Sequence, residues 1–246
     1  MRERDISSVG LQFFNLELKK KKDLLDSFTY NCSHSIRSPL KSIEGLVGLL
    51  KEHPEVAGDG SNYRALLKTE AERLQSIVFH FNELRINAEK DVCPRVIDVE
   101  MLLARVIHPF RSQLLKDDIS LQTHINQKGD LITDSSRLEP ILTELITNAI
   151  QFQDHTKEKK EIWIYVTASP SSCSIQVHDN GIGIRENDAR KVFGLFFRGS
   201  VSSRGSGLGL FVVSQLVEKL GGSISVQAIP ERGTIFSILI PNAKLK

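Results

Sequence analysis

Residues 28–40 read Phe28-Thr-Tyr-Asn-Cys32-Ser-His34-Ser35-Ile-Arg-Ser38-Pro39-Leu40. They continue a helical repeat. Leu11, Phe14, Leu18, Leu25, Phe28 and Cys32 fall on alternating three- and four-residue steps, with Lys21 the one polar interruption. Such spacing is the seam of a helix packed on other helices. With Cys32 on the seam, His34 falls two positions further and faces away from it. An imidazole on the wet side of a rigid helix is open to another domain. Pro39 lacks an N–H, and its ring displaces the bond to the Ser35 carbonyl, so a bend is expected just past the histidine.

Outward from this stretch, the chain to about Glu52 reads as one helix. Pro54, Gly58, Asp59 and Gly60 then supply turn chemistry. Leu67, Leu74, Ile77, Phe81 and Leu84 repeat on helical steps, with Glu70 filling one gap. Two helices joined by about ten residues make an antiparallel hairpin. One hairpin leaves apolar seams uncovered, whereas two close them as a four-helix bundle, so a homodimer is expected. Cys93-Pro94 marks a linker, dividing the chain into 1–93 and 94–246.

Beyond the linker the texture is mixed. Short strands are expected at Arg95–Val99, Ile119–Ile125, Gly129–Thr133, Glu161–Ala168 and Ser172–Val177, with a closing hairpin of Ser223–Ile229 and Thr234–Ile240. Helices are expected at Glu100–Lys116, from a cap at Ser135 or Ser136 through Ile150, and at Ser206–Leu220 before Gly221-Gly222. Helices stacked on one face of a mixed sheet make a two-layer α/β sandwich.

Composition narrows the classes. The 246 residues are 25% charged and 40% hydrophobic, with formal net charge +2. These are ordinary soluble values, and no basic stripe interleaved with aromatics suggests nucleic acid. Lys19–Lys22 reads as a solvated helix face. The three cysteines, Cys32, Cys93 and Cys173, include no close pair. They frame neither disulfides nor a metal site, and a cytoplasmic setting is expected. No apolar run of about eighteen residues or signal peptide is present, so no membrane segment is expected in this chain.

Four motifs stand in order in the second half. They are Glu144-x-x-x-Asn148-Ala-Ile-Gln151-Phe152, Asp179-Asn-Gly181-Ile-Gly183, Phe193-Gly-Leu-Phe196-Phe197-Arg198, and Gly205-Ser-Gly207-Leu208-Gly209-Leu210. Arg232-Gly-Thr234-x-Phe236 follows. Each alone is weak, since Asp-x-Gly-x-Gly is also turn chemistry. The Rossmann fingerprint comes early, after a first strand, so that reading fails. Together the four resemble the N, G1, F and G2 boxes of the ATPase domain shared by histidine kinases, gyrase and related chaperones. Ser33-His34-x-x-Arg37-x-Pro39-Leu40, with Phe28 six residues before the histidine, resembles the H box of two-component sensor histidine kinases.

The resemblance implies an α+β chain: an all-α hairpin, dimerised as a four-helix bundle, then a Bergerat-type two-layer sandwich. It implies that His34 takes the γ-phosphate of ATP and passes it to an aspartate of a response-regulator receiver domain. It implies Mg2+ on Asn148, with Glu144 a second ligand or a base for a hydroxyl or water; an amide oxygen suits a hard cation. Phe152 ends that box. Asp179 would accept from the adenine amine, with Gly181 and Gly183 letting the backbone approach the base. Phe193 opens the lid and Arg198 meets a phosphate. Gly205, Gly207, Leu208 and Gly209 lead into a helix whose first amides hold the triphosphate. Thr234 reaches adenine through water.

Three positions depart from the pattern. Ser35 stands where the family usually has Glu or Asp, and a serine hydroxyl is a poor proton acceptor, so slow autophosphorylation is expected. Ser38 stands where Thr or Asn often directs a water for dephosphorylating the regulator. Gln151 replaces a frequent Lys or His. An upstream sensor domain is expected outside this chain. Two other readings remain, a nucleotide-binding signalling scaffold and an ATP-hydrolysing conformational machine.

Overall fold

The computed structural model describes residues 19, 32–52, 61–199, 205–229 and 233–243. The repeat from Leu11 to Phe28, the turn around Gly58, and Arg232 lie outside the described residues. Packing divides the chain into two compact units, Met1–Ile77 and Val78–Lys246. That division falls upstream of the expected linker at Cys93-Pro94, inside a helix.

The first unit contains helix α1, residues 32–52, and most of helix α2, Ser61–Glu89. Helix α1 runs unbroken through Pro39, whose own ring is buried. The apolar side chains Leu40, Val47, Leu49 and Leu66 are 38–52% exposed. Leu40 and Val47, seven residues apart, share one helical face.

The second unit begins with the last turns of α2. Its elements then follow as β1 (Arg95–Ile97), α3 (Val99–Ile107), α4 (Arg111–Lys116), β2 (Ile119–Gln127), β3 (Leu131–Thr133) and α5 (Ser135–Gln151). After these come β4 (Lys160–Ala168), β5 (Ser172–Asp179), α6 (Gly209–Lys219), β6 (Ser223–Ile229) and β7 (Gly233–Pro241). The five-stranded sheet has the order β2-β4-β5-β7-β6. β2 and β4 are parallel, and the other neighbours antiparallel. β1 and β3 pair separately. The expected mixed α+β sandwich is what the chain forms here.

Alternation along the strands sets the layers. Ile162, Ile164, Val166 and Ala168 of β4, and Cys173, Ile175 and Val177 of β5, are buried. They join Leu138, Ile141, Leu142, Leu145 and Ile146 of α5 and Val212, Val213, Leu216 and Val217 of α6 in one core. Each such side chain contributes roughly 1.5–3 kcal/mol when fully buried.

Three local expectations need correction. The single helix expected at Glu100–Lys116 is broken by a 3-10 turn, His108–Phe110, because Pro109 cannot donate to the helical ladder. The cap of α5 is neither serine; Asp134 takes the N-cap position and accepts from the Ser136 N–H. The last helix starts at Gly209 rather than Ser206.

A buried guanidinium ties the end of α2 to the sandwich. Arg137, only 4% exposed, donates to Asn87 Oδ1 (2.8 Å), the Lys90 carbonyl (2.6 Å) and Asp134 Oδ2 (2.5 Å). Asn87 in turn donates to the Gln215 carbonyl of α6 at 3.1 Å. Burial pushes the Asp134 carboxyl up. The Cys93 N–H, the hydroxyl and N–H of Ser136, and the Arg137 charge together hold it below its ordinary value. Removing one member of a buried ion pair strands the other. Arg137→Ala is expected to lower unfolding stability by about 3–5 kcal/mol. Urea denaturation reads this directly, and a loss below ~1 kcal/mol would contradict it.

Candidate active site

Strand alternation delivers the first site residue. Asp179 is the last residue of β5 and lies on the same row as Ile175 and Val177, so its carboxylate turns to the buried side. It is 8% exposed and accepts the Gly181 N–H at 2.9 Å. Burial pushes the Asp179 carboxyl up to about 6, against the N–H groups of Gly181 and Thr234 and the Lys157 charge. Thr234, opposite Asp179 on β7, is also buried. A buried acid with a raised pKa at a strand end is a common mark of a binding site.

The segment after β5 passes under the end of α5. Ile182 N–H donates to the Phe152 carbonyl at 3.0 Å. A Cβ on Gly181 would collide with that same carbonyl oxygen, so only glycine fits. Lys157 braces the turn from the other side, donating to the Asn180 carbonyl at 2.5 Å. Gly183 takes positive φ, +73°.

Helix α5 presents Glu144 and Asn148 one turn apart. The Asn148 Nδ2 is buried with no hydrogen-bond partner. A side-chain amide in that state suits a ligand whose own oxygens supply the missing acceptor. Among the described residues no group of three or more His, Cys, Asp or Glu could hold a metal. A cation here would therefore take an amide oxygen from the protein and the rest of its shell from phosphate and water, as Mg2+ commonly does.

Two glycine-rich and aromatic segments meet beside these residues. Phe193 packs edge-on against Phe236 of β7, with ring centroids 6.3 Å apart. Phe196 has φ +59°. A Cβ on Gly207 would lie 2.8 Å from the Phe196 carbonyl carbon and 3.0 Å from the Phe197 oxygen, so the two segments are in backbone contact. Arg198 is half-buried; Gly205 and Gly207 are half-buried and Leu208 is fully buried.

Within the second unit, then, Asp179, Gly181, Phe152 and Thr234 form one cluster. Phe193–Arg198 and Gly205–Gly209 form another. In the first unit His34 is exposed on α1, with Ser35 and Ser38 half-buried.

One residue beside the candidate site, His80, was missed by the sequence reading. His80, 3% exposed, places Nε2 2.9 Å from Glu144 Oε1 and Nδ1 3.2 Å from Ser206 Oγ. Its place three residues after Ile77 and seven before Asn87, on the edge of the apolar stripe, is consistent with its burial but carries no sign of its partners.

The chain is similar to known proteins in sequence and in fold. Residues 133–244 match the family model of the histidine kinase-, DNA gyrase B- and HSP90-like ATPase. The chain is 30% identical over 262 residues to the sensor protein GacS of Pseudomonas syringae pv. syringae, which covers 98% of this chain and 28% of GacS. It is also 30% identical over 240 residues to the sensor protein SrrB of Staphylococcus aureus, 92% of this chain and 39% of SrrB. The chain therefore spans less than half the length of these relatives. In fold it resembles the solved histidine kinase ThkA in complex with the response regulator protein TrrA. That likeness has a TM-score of 0.73 at 21% identity, over 92% of this chain and 64% of the other. Residues 133–244 thus match this ATPase family, and the chain is similar along almost its whole length to sensor proteins.

Proposed function

We propose that the chain is a kinase core that phosphorylates His34 from Mg-ATP and then transfers the phosphoryl group to a response-regulator aspartate. The observation that carries this is a glycine-lined cluster around a buried, strongly perturbed Asp179 in a chain that also carries an exposed imidazole on α1. A ring nitrogen of His34 attacks the γ-phosphorus, the bond to the bridging oxygen breaks, and ADP leaves. Such transfer needs positioning and charge neutralisation more than covalent chemistry by the protein. Asp179 accepts from the adenine amine, and Gly181, Gly183 and Thr234 line that end. Gly205, Gly207, Leu208 and Gly209 bring amides to the phosphates, with Phe193 and Arg198 over them.

We assign the metal to the Asn148 amide oxygen, with Phe152 closing the same end of α5. When bound, Mg2+ neutralises charge on the phosphates. Glu144 has one oxygen bonded to His80 and would serve as a second ligand or base only through the other. Ser35 and Ser38 orient the imidazole and a water less strongly than the acids and amides they replace.

The dimer is supported by Leu40, Val47, Leu49 and Leu66, which a second hairpin would cover. That ThkA is solved with TrrA supports a receiver domain as the phosphate acceptor. The length of the relatives supports a sensor domain outside residues 1–246. Among the described residues no helix is long and apolar enough to cross a membrane; a cytoplasmic site of action is part of the proposal.

The test is incubation with γ-labelled Mg-ATP, then acid and base treatment of the labelled protein. A phosphohistidine is lost in acid and kept in base. Label that survives acid would rule this function out.

A further inference from the structure

His80 binds two partners that sit on either side of the start of α6. Its Nε2 meets Glu144 of α5 at 2.9 Å, and its Nδ1 meets Ser206 Oγ at 3.2 Å. Ser206 Oγ also accepts the Leu208 N–H at 3.3 Å, one residue before α6 begins. The second Glu144 oxygen lies against Gly209, where a Cβ would collide with it. The carboxylate thus rests at the positive end of the α6 dipole. All three side chains are inside: His80 and Ser206 are 3% and 5% exposed, and Glu144's side chain 14%.

We propose that His80 is a positioning residue of the nucleotide site. It anchors the segment Gly205–Gly209 to α5, in the form that receives a triphosphate. The inference rests on the ATP-dependent function proposed above. Three glycines in five positions give this segment much backbone freedom to lose on ordering. A buried anchor in the middle of it supplies part of that order before the nucleotide arrives. The anchor also restrains charge. Glu83, next along α2, has its carboxyl pushed up by burial, with His80 opposing and the Glu144 charge adding to the rise. The Ser-His-Glu arrangement is not a nucleophilic triad, because the Ser206 hydroxyl is sealed from any substrate.

The experiment compares the full 246-residue chain with His80→Ala and His80→Gln. Hydrogen exchange without ligand reads the anchor, and calorimetry with AMPPNP and with adenosine reads the site. His80→Ala is expected to speed exchange at the Leu208, Gly209 and Leu210 amides about tenfold. It is expected to weaken AMPPNP about tenfold, the scale of one buried hydrogen bond, and to leave adenosine within about twofold. His80→Gln reaches one partner at a time and falls between. Unchanged exchange, or equal loss of AMPPNP and adenosine, overturns the inference. Where the alanine variant does not fold, the glutamine variant carries the same two requirements. A wild type that binds no AMPPNP, while these amides still loosen in His80→Ala, overturns instead the function proposed above.

Discussion

His34→Gln leaves no acid-labile phosphoprotein after incubation with γ-labelled Mg-ATP, and binds AMPPNP as the wild type does. The first half follows from chemistry. A carboxamide nitrogen has its lone pair delocalised and cannot attack phosphorus as an imidazole does. The second follows from placement. His34 is exposed on α1, so its replacement by a residue of similar helix propensity costs little, within about 0.5 kcal/mol. The cluster proposed to hold the nucleotide belongs to the other compact unit. Phosphohistidine persisting in the variant at the wild-type rate would move the acceptor elsewhere. The same pair of measurements separates the other readings. A scaffold binds AMPPNP and forms no phosphoprotein even as wild type. An ATP-hydrolysing machine releases phosphate steadily without labelled protein.

What could be read from the sequence depended on how local the physics was. The position of Asp179 at a strand end before two glycines was legible because that pattern is written within a few residues. The core of α5 was legible because Leu138, Ile141, Leu142, Leu145 and Ile146 repeat at helical spacing. Features that depend on a competition between neighbours were not. Asp134 and Ser135 both suit an N-cap, and Asp134 prevails because its second oxygen also accepts the Cys93 N–H at 3.0 Å. Pro109 ends α3 within an otherwise unbroken amphipathic pattern. His80 was hidden for a different reason. Its apolar neighbours Ile77, Phe81 and Leu84 complete a helix stripe without it. The partners that give it meaning are 64 and 126 residues away in sequence.

Asp179→Asn is expected to stabilise the empty protein while weakening ATP, and the two effects share one cause. The Asp179 carboxyl is pushed from its ordinary 3.8 up to about 6 by burial. The native state therefore holds this proton more tightly than the unfolded chain does. Stability from this group falls as pH rises from about 4 to about 6, and the full cost, about 3 kcal/mol, is present at pH 7. Asparagine carries no charge to desolvate, and its Oδ1 still accepts the Gly181 N–H that the aspartate accepts at 2.9 Å. The melting temperature of the ligand-free variant should rise by several degrees at pH 7 and approach the wild type near pH 4. Nucleotide affinity should move the other way. A charged acceptor facing the adenine amine is replaced by a neutral amide, worth roughly a ten- to hundredfold loss. The wild type should itself lose ATP affinity as pH drops below about 6, where Asp179 takes up its proton, while the variant's affinity stays flat over that range. A variant that melts lower and binds ATP as tightly as the wild type would mean that the carboxylate is neither strained by burial nor aimed at the base. A carboxylate destabilised by burial at the end of β5 fits the role proposed for Asp179, a group whose partner arrives with the ligand.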